Sequence, residues 1–146
     1  MVDEQDSRTS AVAADVRMVL GQLVRRLRQQ TEDSGLTKSQ IATLVLLERD
    51  GPMTATELAR AQGIRPQSMA ANVSALEAAG AITRSQDPDD GRKTLLAMSD
   101  SAREHYRAGE LIRQDWLTHA MTATLTPEEI EQVAAAIDLF GRLARF

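Results

Sequence analysis

The segment 53–99 constrains the fold most, because helix starts, helix ends and a turn follow one another along it at short intervals. Thr54–Glu57 has the spacing of a capping box, in which a threonine hydroxyl and a glutamate carboxylate each bond to the other residue's backbone N–H group. A helix is therefore predicted to begin there and to end at Gly63. Pro66 suits the first position of a second helix, which Gly80 is predicted to end.

The second of these helices has two unlike faces. Met69, Val73 and Leu76 follow one another at spacings of four and three residues and form one apolar stripe. The opposite face is small, polar and nearly uncharged, and it consists of Gln67, Ser68, Ala71, Ser74 and Ala75. Such a face can approach another surface closely, and Gln and Ser side chains can exchange hydrogen bonds with the edges of DNA bases.

Two β-prone runs, residues 82–86 and 94–98, flank a turn rich in Asp, Pro and Gly and predict a β-hairpin. The tip of this hairpin carries Arg92 and Lys93. Helix, turn, helix and a hairpin with a basic tip is the layout of a winged helix-turn-helix. In that layout the second helix enters the major groove of DNA, and the wing reaches the backbone or the minor groove. The expected fold is mainly α with a small β-hairpin wing.

Apolar stripes on both sides of the segment predict further helices. One helix is expected to begin near Val12 and to end near residues 33–35. Residues 36–41 carry the cap and staple signals of another helix. After the hairpin, a long helix is expected from Ser99. Residues 125–130 combine a cap, a proline and an acidic first turn, which predicts a last helix that runs to the C-terminus.

The stripes on these flanking helices decide the domain organisation that we expect. They are too extensive for a small winged unit to bury, so they predict packing with the same helices of a second copy. A homodimer would set two recognition helices about 34 Å apart, which is one turn of DNA. We expect residues 1–10 to be disordered, 11–35 and 100–146 to form a helical dimerisation region, and 36–99 to form the winged helix-turn-helix.

Composition narrows the function classes. The 146 residues include no cysteine, which excludes disulfide scaffolds, thiol catalysis and thiolate zinc sites. The acidic, polar start is no signal peptide, and no apolar run approaches the ~20 residues of a membrane span, so we expect a cytoplasmic protein without a membrane partner. With a formal net charge of −4, DNA binding would depend on a few placed cations and on helix N-termini.

Candidates for DNA contact lie in the first turn of the second helix and at the tip of the hairpin. Gln67 and Ser68 stand where the recognition helix of this layout reaches base edges, with solvated first-turn polarity as the alternative. Arg92 is predicted to contact DNA, with closure of the turn through Asp90 as an alternative or additional role. Arg65 is predicted to contact a phosphate.

For each of three further residues, the sequence is compatible with two roles. Asn72 stands at the edge of the apolar stripe, between packing and DNA contact. Arg84 on the first strand of the hairpin is equally open between a structural role and DNA contact. Thr54 is predicted to cap a helix whose N-terminal end could also meet a phosphate.

No pattern in the sequence predicts catalysis, a metal or a cofactor. His105 and His119 are fourteen residues apart and have no neighbouring His or Cys, so they lack the spacing of metal ligands. No nucleophile with a base, P-loop or dinucleotide fingerprint is present, so we expect no enzyme. Arg17, Tyr106 and Trp116 are the candidates for a small-molecule effector site, although aromatic residues on a long helix usually only pack.

Several short motifs resemble those of the MarR-type transcriptional regulators, from about residue 12 to the end of the chain. The most specific is the wing, which resembles the family pattern Asp-Pro-x-Asp-Arg-Arg followed by Leu-x-x-Leu-Thr. The matching residues are Leu36-Thr37 with Gln40, Leu58-Ala59 with Gly63-Ile64, Leu76 to Gly80, and Asp87 to Arg92 with Leu95, Met98 and Ser99.

The resemblance implies a dimeric winged protein that represses genes by occupying pseudo-palindromic DNA and is often released when a small aromatic anion binds. It also implies that Arg92 enters the minor groove, that Asp90 orients it, and that position 71 contributes to the DNA-facing helix. Lys93 is expected on a phosphate. The whole predicted DNA-contacting set is Thr54, Arg65, Gln67, Ser68, Ala71, Asn72, Arg84, Asp90, Arg92 and Lys93.

The sequence departs from the family pattern at a few positions. Gly91 stands where an arginine is common, and Ala71 stands where the recognition helix often has arginine or another polar residue. Ser99 and Ala102 replace a usual Thr and Gly. The first two departures remove potential DNA contacts. Together with the acidic composition they keep an alternative open, in which the winged helix binds a protein partner and no specific DNA.

Overall fold

The computed structural model of the protein describes residues 4–31 and 34–146. The elements in these ranges are α1 (Glu4–Arg28), α2 (Lys38–Asp50), α3 (Ala55–Gln62), α4 (Pro66–Ala78), β1 (Ile82–Gln86), β2 (Thr94–Met98), α5 (Asp100–Thr124) and α6 (Pro127–Ala144). The expected fold class, mainly α with a β-hairpin wing, is confirmed. The chain divides into two compact units, one from residues 1–32 and 110–146 and the other from residues 33–109.

The core of the unit 33–109 forms where α2, α3, α4 and the hairpin meet. Leu58, Met69 and Leu76 are completely buried, and Leu96 on β2 is 1% exposed. The predicted stripe on α4 therefore faces inward, and its third member, Val73, is buried too. Burial of side chains of this size stabilises a fold by about 1.5–3 kcal/mol each.

Helix starts in the structure follow the capping signals in the sequence. Thr37, Thr54 and Thr126 each cap a helix through a complete capping box, with hydroxyl and side-chain acceptor bonds both formed. Gly63 ends α3 in the left-handed conformation, at a φ of 64° that residues with a Cβ rarely adopt. The predicted boundaries of α3 are therefore confirmed.

The hairpin is a two-stranded antiparallel ladder whose strands are those predicted, with Ile82 opposite Met98 and Gln86 opposite Thr94. Met53, just before α3, adds one more pair: its N–H donates to the Leu96 carbonyl at 3.0 Å, and its own carbonyl accepts from the Leu96 N–H at 2.8 Å. The start of α3 is thus fixed to the middle of β2 by backbone hydrogen bonds.

The expected extent of the first helix was wrong at both ends. Residues 4–10, expected to be disordered, belong to α1, whose first turn contains Glu4 and Asp6. Negative charge there interacts favourably with the helix N-terminus. The helix ends at Arg28, ahead of the expected stop near residues 33–35. Asp33 itself lies outside the described residues.

The helices of the other unit bury little within one chain. None of the described residues of α1 and α6 is fully buried, and the same holds for α5. Ile137 and Leu143 on α6 are 60% and 67% exposed. Further exposed apolar side chains on these helices are Val12, Met18, Val19, Leu20, Leu23, Val24, Leu111, Ile112, Val133, Leu139 and Phe140. The apolar stripes read from the sequence therefore remain largely uncovered in the single chain.

Candidate nucleic-acid interface

The first turn of α4 presents small polar groups outward. Gln67, Ser68 and Ala71 are all exposed, opposite the buried stripe. Arg65 is the N-cap residue and makes no side-chain capping bond, and Pro66 follows it at the first helical position. The free N–H groups of an uncapped first turn can bind an anion such as a phosphate. The structure therefore brings polar side chains and backbone donors together at one end of α4.

Asn72 is held from within the unit. Its Nδ2 donates to Ser39 Oγ, in the first turn of α2, at 2.6 Å. The side chain is half-buried at the edge of the apolar stripe, as the sequence indicated. Packing and DNA contact were both left open for Asn72, and this hydrogen bond to Ser39 suits the packing role.

The tip of the wing is organised by aspartate side chains. Asp90 Oδ1 accepts from the Arg92 backbone N–H at 3.1 Å and lies 3.3 Å from Arg92 Nε. Asp87 accepts from the Asp89 N–H at 2.8 Å. The Arg92 side chain is nevertheless 93% exposed. The loop therefore holds Arg92 at its backbone N–H and its Nε, while most of the side chain stays exposed and its two Nη groups point away from these bonds' acceptor.

Arg84 lies against α4, because it forms a bidentate pair with Glu77 at the C-terminal end of that helix. Its Nε donates to one Glu77 carboxylate oxygen and its Nη2 donates to the other at 2.9 Å. These hydrogen bonds lower the pKa of the Glu77 carboxyl below its usual range. Of the two roles left open for Arg84, the structure shows contacts that suit the structural one, which connects the wing to α4.

Thr54 and Lys93 lie on either side of an open cleft of about 450 Å³ between the start of α3 and the wing. Glu57, which also lines it, accepts from the Thr54 backbone N–H at 2.8 Å. That bond, the Thr54 hydroxyl and the nearby charge of Lys93 lower the pKa of the Glu57 carboxyl. The Glu57 carboxylate, which forms part of the capping box of α3, thus lies near the exposed Lys93.

The candidate effector residues fall in different units. Arg17 is exposed on α1, and Trp116 on α5 is half-buried, with the Arg26 guanidinium carbon 5.8 Å from the centroid of its ring. That distance suits a cation–π contact. Tyr106 belongs to the unit 33–109 and packs against its apolar core. Sequence reasoning missed Arg26, although it lay in the basic last turn of the first helix.

The described ranges were also searched for metal sites and membrane-spanning helices. Residues 4–31 and 34–146 contain no group of three His, Cys, Asp or Glu side chains arranged to hold a metal ion. Within the same ranges, no helix is both long enough and apolar enough to cross a bilayer.

Three polar residues near α4 were missed because their partners lie far away in sequence. Thr43, the one fully buried polar side chain on α2 among the described residues, lies 2.6 Å from Gln62 Oε1 at the end of α3. Ser39 is four residues before Thr43 and therefore on the same face of α2. The only available signal was that spacing: two small polar residues interrupt an otherwise apolar side of a helix.

A helix-turn-helix followed by a hairpin whose tip exposes Arg92 and Lys93 defines a class of protein, the winged helix-turn-helix DNA-binding regulators. Residues 36–94 match the model of the MarR family. An uncharacterized HTH-type transcriptional regulator of Mycobacterium bovis, Mb0904, is 34% identical over 128 residues, which cover 88% of this chain and 89% of the relative. The chain belongs to the MarR family of transcriptional regulators.

Two further comparisons agree with this assignment. The crystal structure of a Pseudomonas aeruginosa protein described as a transcriptional regulator matches with a TM-score of 0.85 and 34% identity over 98% of each chain. The transcriptional repressor NicR of Pseudomonas putida is 30% identical over 95 residues, 60% of each chain. The family consists of transcriptional regulators that bind DNA, so the expectation that the protein is not an enzyme is confirmed.

The Glu77–Arg84 pair predicts a pH-dependent contribution to stability. Because the hydrogen bonds from Arg84 lower the pKa of Glu77 in the folded state, the ionised carboxylate stabilises the fold above the ordinary glutamate pKa of about 4.3. That contribution is lost as the pH falls through the lower, folded-state pKa. Urea unfolding midpoints should be higher for the wild type than for Glu77→Gln at pH 7, and the difference should shrink toward pH 3.

Glu131→Gln is the matched control, since Glu131 is exposed on α6. It should leave the midpoint close to that of the wild type across the same pH range. A difference between the wild type and Glu77→Gln that stays constant from pH 7 to pH 3 would contradict the role assigned to the ionised pair.

Proposed function

We propose that this regulator is a repressor that binds a pseudo-palindromic operator as a homodimer. The observation that carries the proposal is the exposed, nearly uncharged first turn of α4 on a helix whose opposite face is completely buried. A helix held in this way can enter the major groove without steric or charge obstruction, with Gln67 and Ser68 on base edges. The NicR repressor among the relatives supports repression as the outcome.

The remaining contacts of the proposed complex follow from exposure and charge. Arg92 enters the minor groove from the wing, oriented by Asp90. Arg65 and Lys93 neutralise phosphates, and the capped start of α3 at Thr54 lies beside Lys93. Ala71 lies on the groove-facing side without a polar contact of its own. Arg84 acts through its pair with Glu77, which holds the wing against α4.

We assign DNA binding and dimerisation to the two domains whose boundaries were expected from the sequence. Residues 36–99 form the DNA-binding domain, and 11–35 with 100–146 form the dimerisation region. Uncovered apolar side chains on α1, α5 and α6 support this division, because contiguous apolar surface of this kind marks association sites. A two-fold dimer would present two copies of α4 to successive major grooves.

A small aromatic or anionic effector that releases the DNA completes the proposal, with Arg17, Tyr106 and Trp116 as its candidate contacts. Such a molecule can shift the protein away from its DNA-bound conformation only if it binds the two conformations with different affinities. The Arg26–Trp116 contact supports a role for this region, because a cation beside an aromatic ring offers both partners that an aromatic anion needs.

A second candidate function is a winged helix that binds a protein partner. The net charge of −4 and the uncharged face of α4 favour it. It differs from the repressor proposal in one measurable respect, because it requires no preference among DNA sequences and no contribution from Arg92.

Truncation of the wing arginine tests DNA binding. Arg92→Ala should weaken binding to a duplex selected by the full chain from a random-sequence pool, by about 5- to 150-fold. The physical reason is the loss of a guanidinium from the narrow, electronegative minor groove. Fluorescence anisotropy of the labelled duplex measures the affinity.

Arg8→Ala is the control for the Arg92 experiment, because it removes the same charge from an exposed position on α1. It should change the affinity less than twofold. Equal affinities for the wild type and Arg92→Ala would contradict the repressor proposal and favour the protein-partner alternative.

The homodimer predicts a solution mass of twice the chain mass of 16.0 kDa, measured by light scattering on a sizing column. Ile137→Glu places a charge on the apolar stripe of α6 and should shift the mass toward that of one chain. Gln132→Glu, off the stripe on the same helix, should leave the dimer intact. A wild-type protein that runs as a single chain at micromolar concentration would overturn the dimer.

Trp116 is the only tryptophan, so its fluorescence reports directly on the proposed effector region. Benzoate and related aromatic carboxylates should change that fluorescence and weaken DNA binding over the same concentration range, because both follow one binding event. Arg17→Ala should raise the concentration needed for both effects. DNA affinity that stays unchanged at millimolar concentrations across a panel of aromatic acids would count against effector release by this class.

A further inference from the structure

Three helices of the winged unit meet at one residue, Ser39. Its hydroxyl oxygen accepts from Asn72 Nδ2 of α4 at 2.6 Å. Its backbone carbonyl accepts from Gln62 Nε2, at the end of α3, at 3.2 Å. The Thr43 hydroxyl, one turn further along α2, lies 2.6 Å from Gln62 Oε1 and 3.0 Å from the Ser39 carbonyl. We refer to these four side chains, Ser39, Thr43, Gln62 and Asn72, as the polar hub.

The polar hub is itself anchored. Ser39 lies in the first turn of α2, between Thr37 and Gln40, which form a capping box with hydrogen bonds of 3.2 and 3.0 Å. Thr43 is fully buried, and no buried side-chain nitrogen or oxygen in the described residues lacks a hydrogen-bond partner. A satisfied polar network of this kind fixes one arrangement of the elements that it connects.

Apolar packing fixes which face of α4 is buried, but hydrophobic attraction has no direction and does not by itself define the last few degrees of rotation about the helix axis. A rotation of about 20° moves a side-chain tip by about 2 Å, given the ~5–6 Å radius of a helix with its side chains. That displacement is large compared with the range over which a hydrogen bond to a base remains favourable. The bond from Asn72 to Ser39, at the edge of the stripe, is directional and opposes such a rotation.

We propose that Ser39, although on α2, determines DNA sequence specificity by fixing the rotation of α4 through Asn72. Both are positioning residues, and the readers of the bases are Gln67 and Ser68. The inference rests on the proposed function, since it assumes that those two residues face the bases. According to this inference, the polar hub controls the preference for one DNA sequence over others and not the general affinity for DNA.

The test compares affinities of the full chain for two probes: a duplex that the wild type selects from a random-sequence pool, and the unselected pool itself. The ratio of these affinities measures specificity. Ser39→Ala, Asn72→Ala and the double variant form a double-mutant cycle. Ser39→Thr keeps the hydroxyl, and Ser7→Ala on exposed α1 is the control for loss of a serine hydroxyl elsewhere.

Ser39→Ala and Asn72→Ala should each lower the specificity ratio about fivefold, the equivalent of one hydrogen bond, and the double variant should lower it no further. Affinity for the random pool should change less than twofold, and Ser39→Thr and Ser7→Ala should keep the wild-type ratio. Thermal unfolding measured on every variant verifies that each is folded at the assay temperature.

Three results would overturn the inference. An unchanged ratio for Ser39→Ala, with a loss of preference at one base position for Asn72→Ala, would make Asn72 a direct reader. Equal losses on both probes would make the polar hub merely structural. A wild-type chain that selects no sequence from the pool would refute the proposed function, and with it this inference, and that result is distinct from the other two.

Discussion

The burial of one face of α4 is the constraint on which the DNA-facing surface depends. Met69 and Leu76 are inaccessible to solvent, and they pack where α2, α3 and the hairpin meet. Because a helix turns by about 100° per residue, burying these positions necessarily turns Gln67 and Ala71 to the other side. The same constraint explains why the exposed face tolerates small residues: nothing on that side is needed to hold the helix in the fold.

Several carboxylates of the winged unit make hydrogen bonds within the fold, while several of its cations are exposed. Glu57 is used by the cap of α3, Glu77 by Arg84, and Asp90 by the backbone of the wing. Each of these acidic groups gives its hydrogen-bonding capacity to a neighbour in the fold, and the pKa values of Glu57 and Glu77 are lowered accordingly. The exposed cations of the same unit include Arg65, Arg92 and Lys93. The net charge of the chain therefore does not show where its exposed cations lie.

Much of the winged unit could be predicted from the sequence because its signals are local. The capping box at Thr54, the end of α3 at Gly63 and the two strands depend on residues a few positions apart, and they were predicted correctly. The bonds from Asn72 to Ser39 and from Arg84 to Glu77 connect separate elements, so no pattern along the chain specifies them. The start of α1 was misplaced for another reason: its first turn is acidic and polar, and an acidic polar run is also typical of disorder.

The helices α1, α5 and α6 bury little apolar surface in one chain, which bears on the stability of the proposed dimer. They leave side chains such as Ile137 and Leu143 mostly exposed in one chain, so the apolar burial that ordinarily offsets the conformational entropy of folding is small for this unit. In a homodimer that burial comes from the second copy, and the stability of the unit then depends on protein concentration.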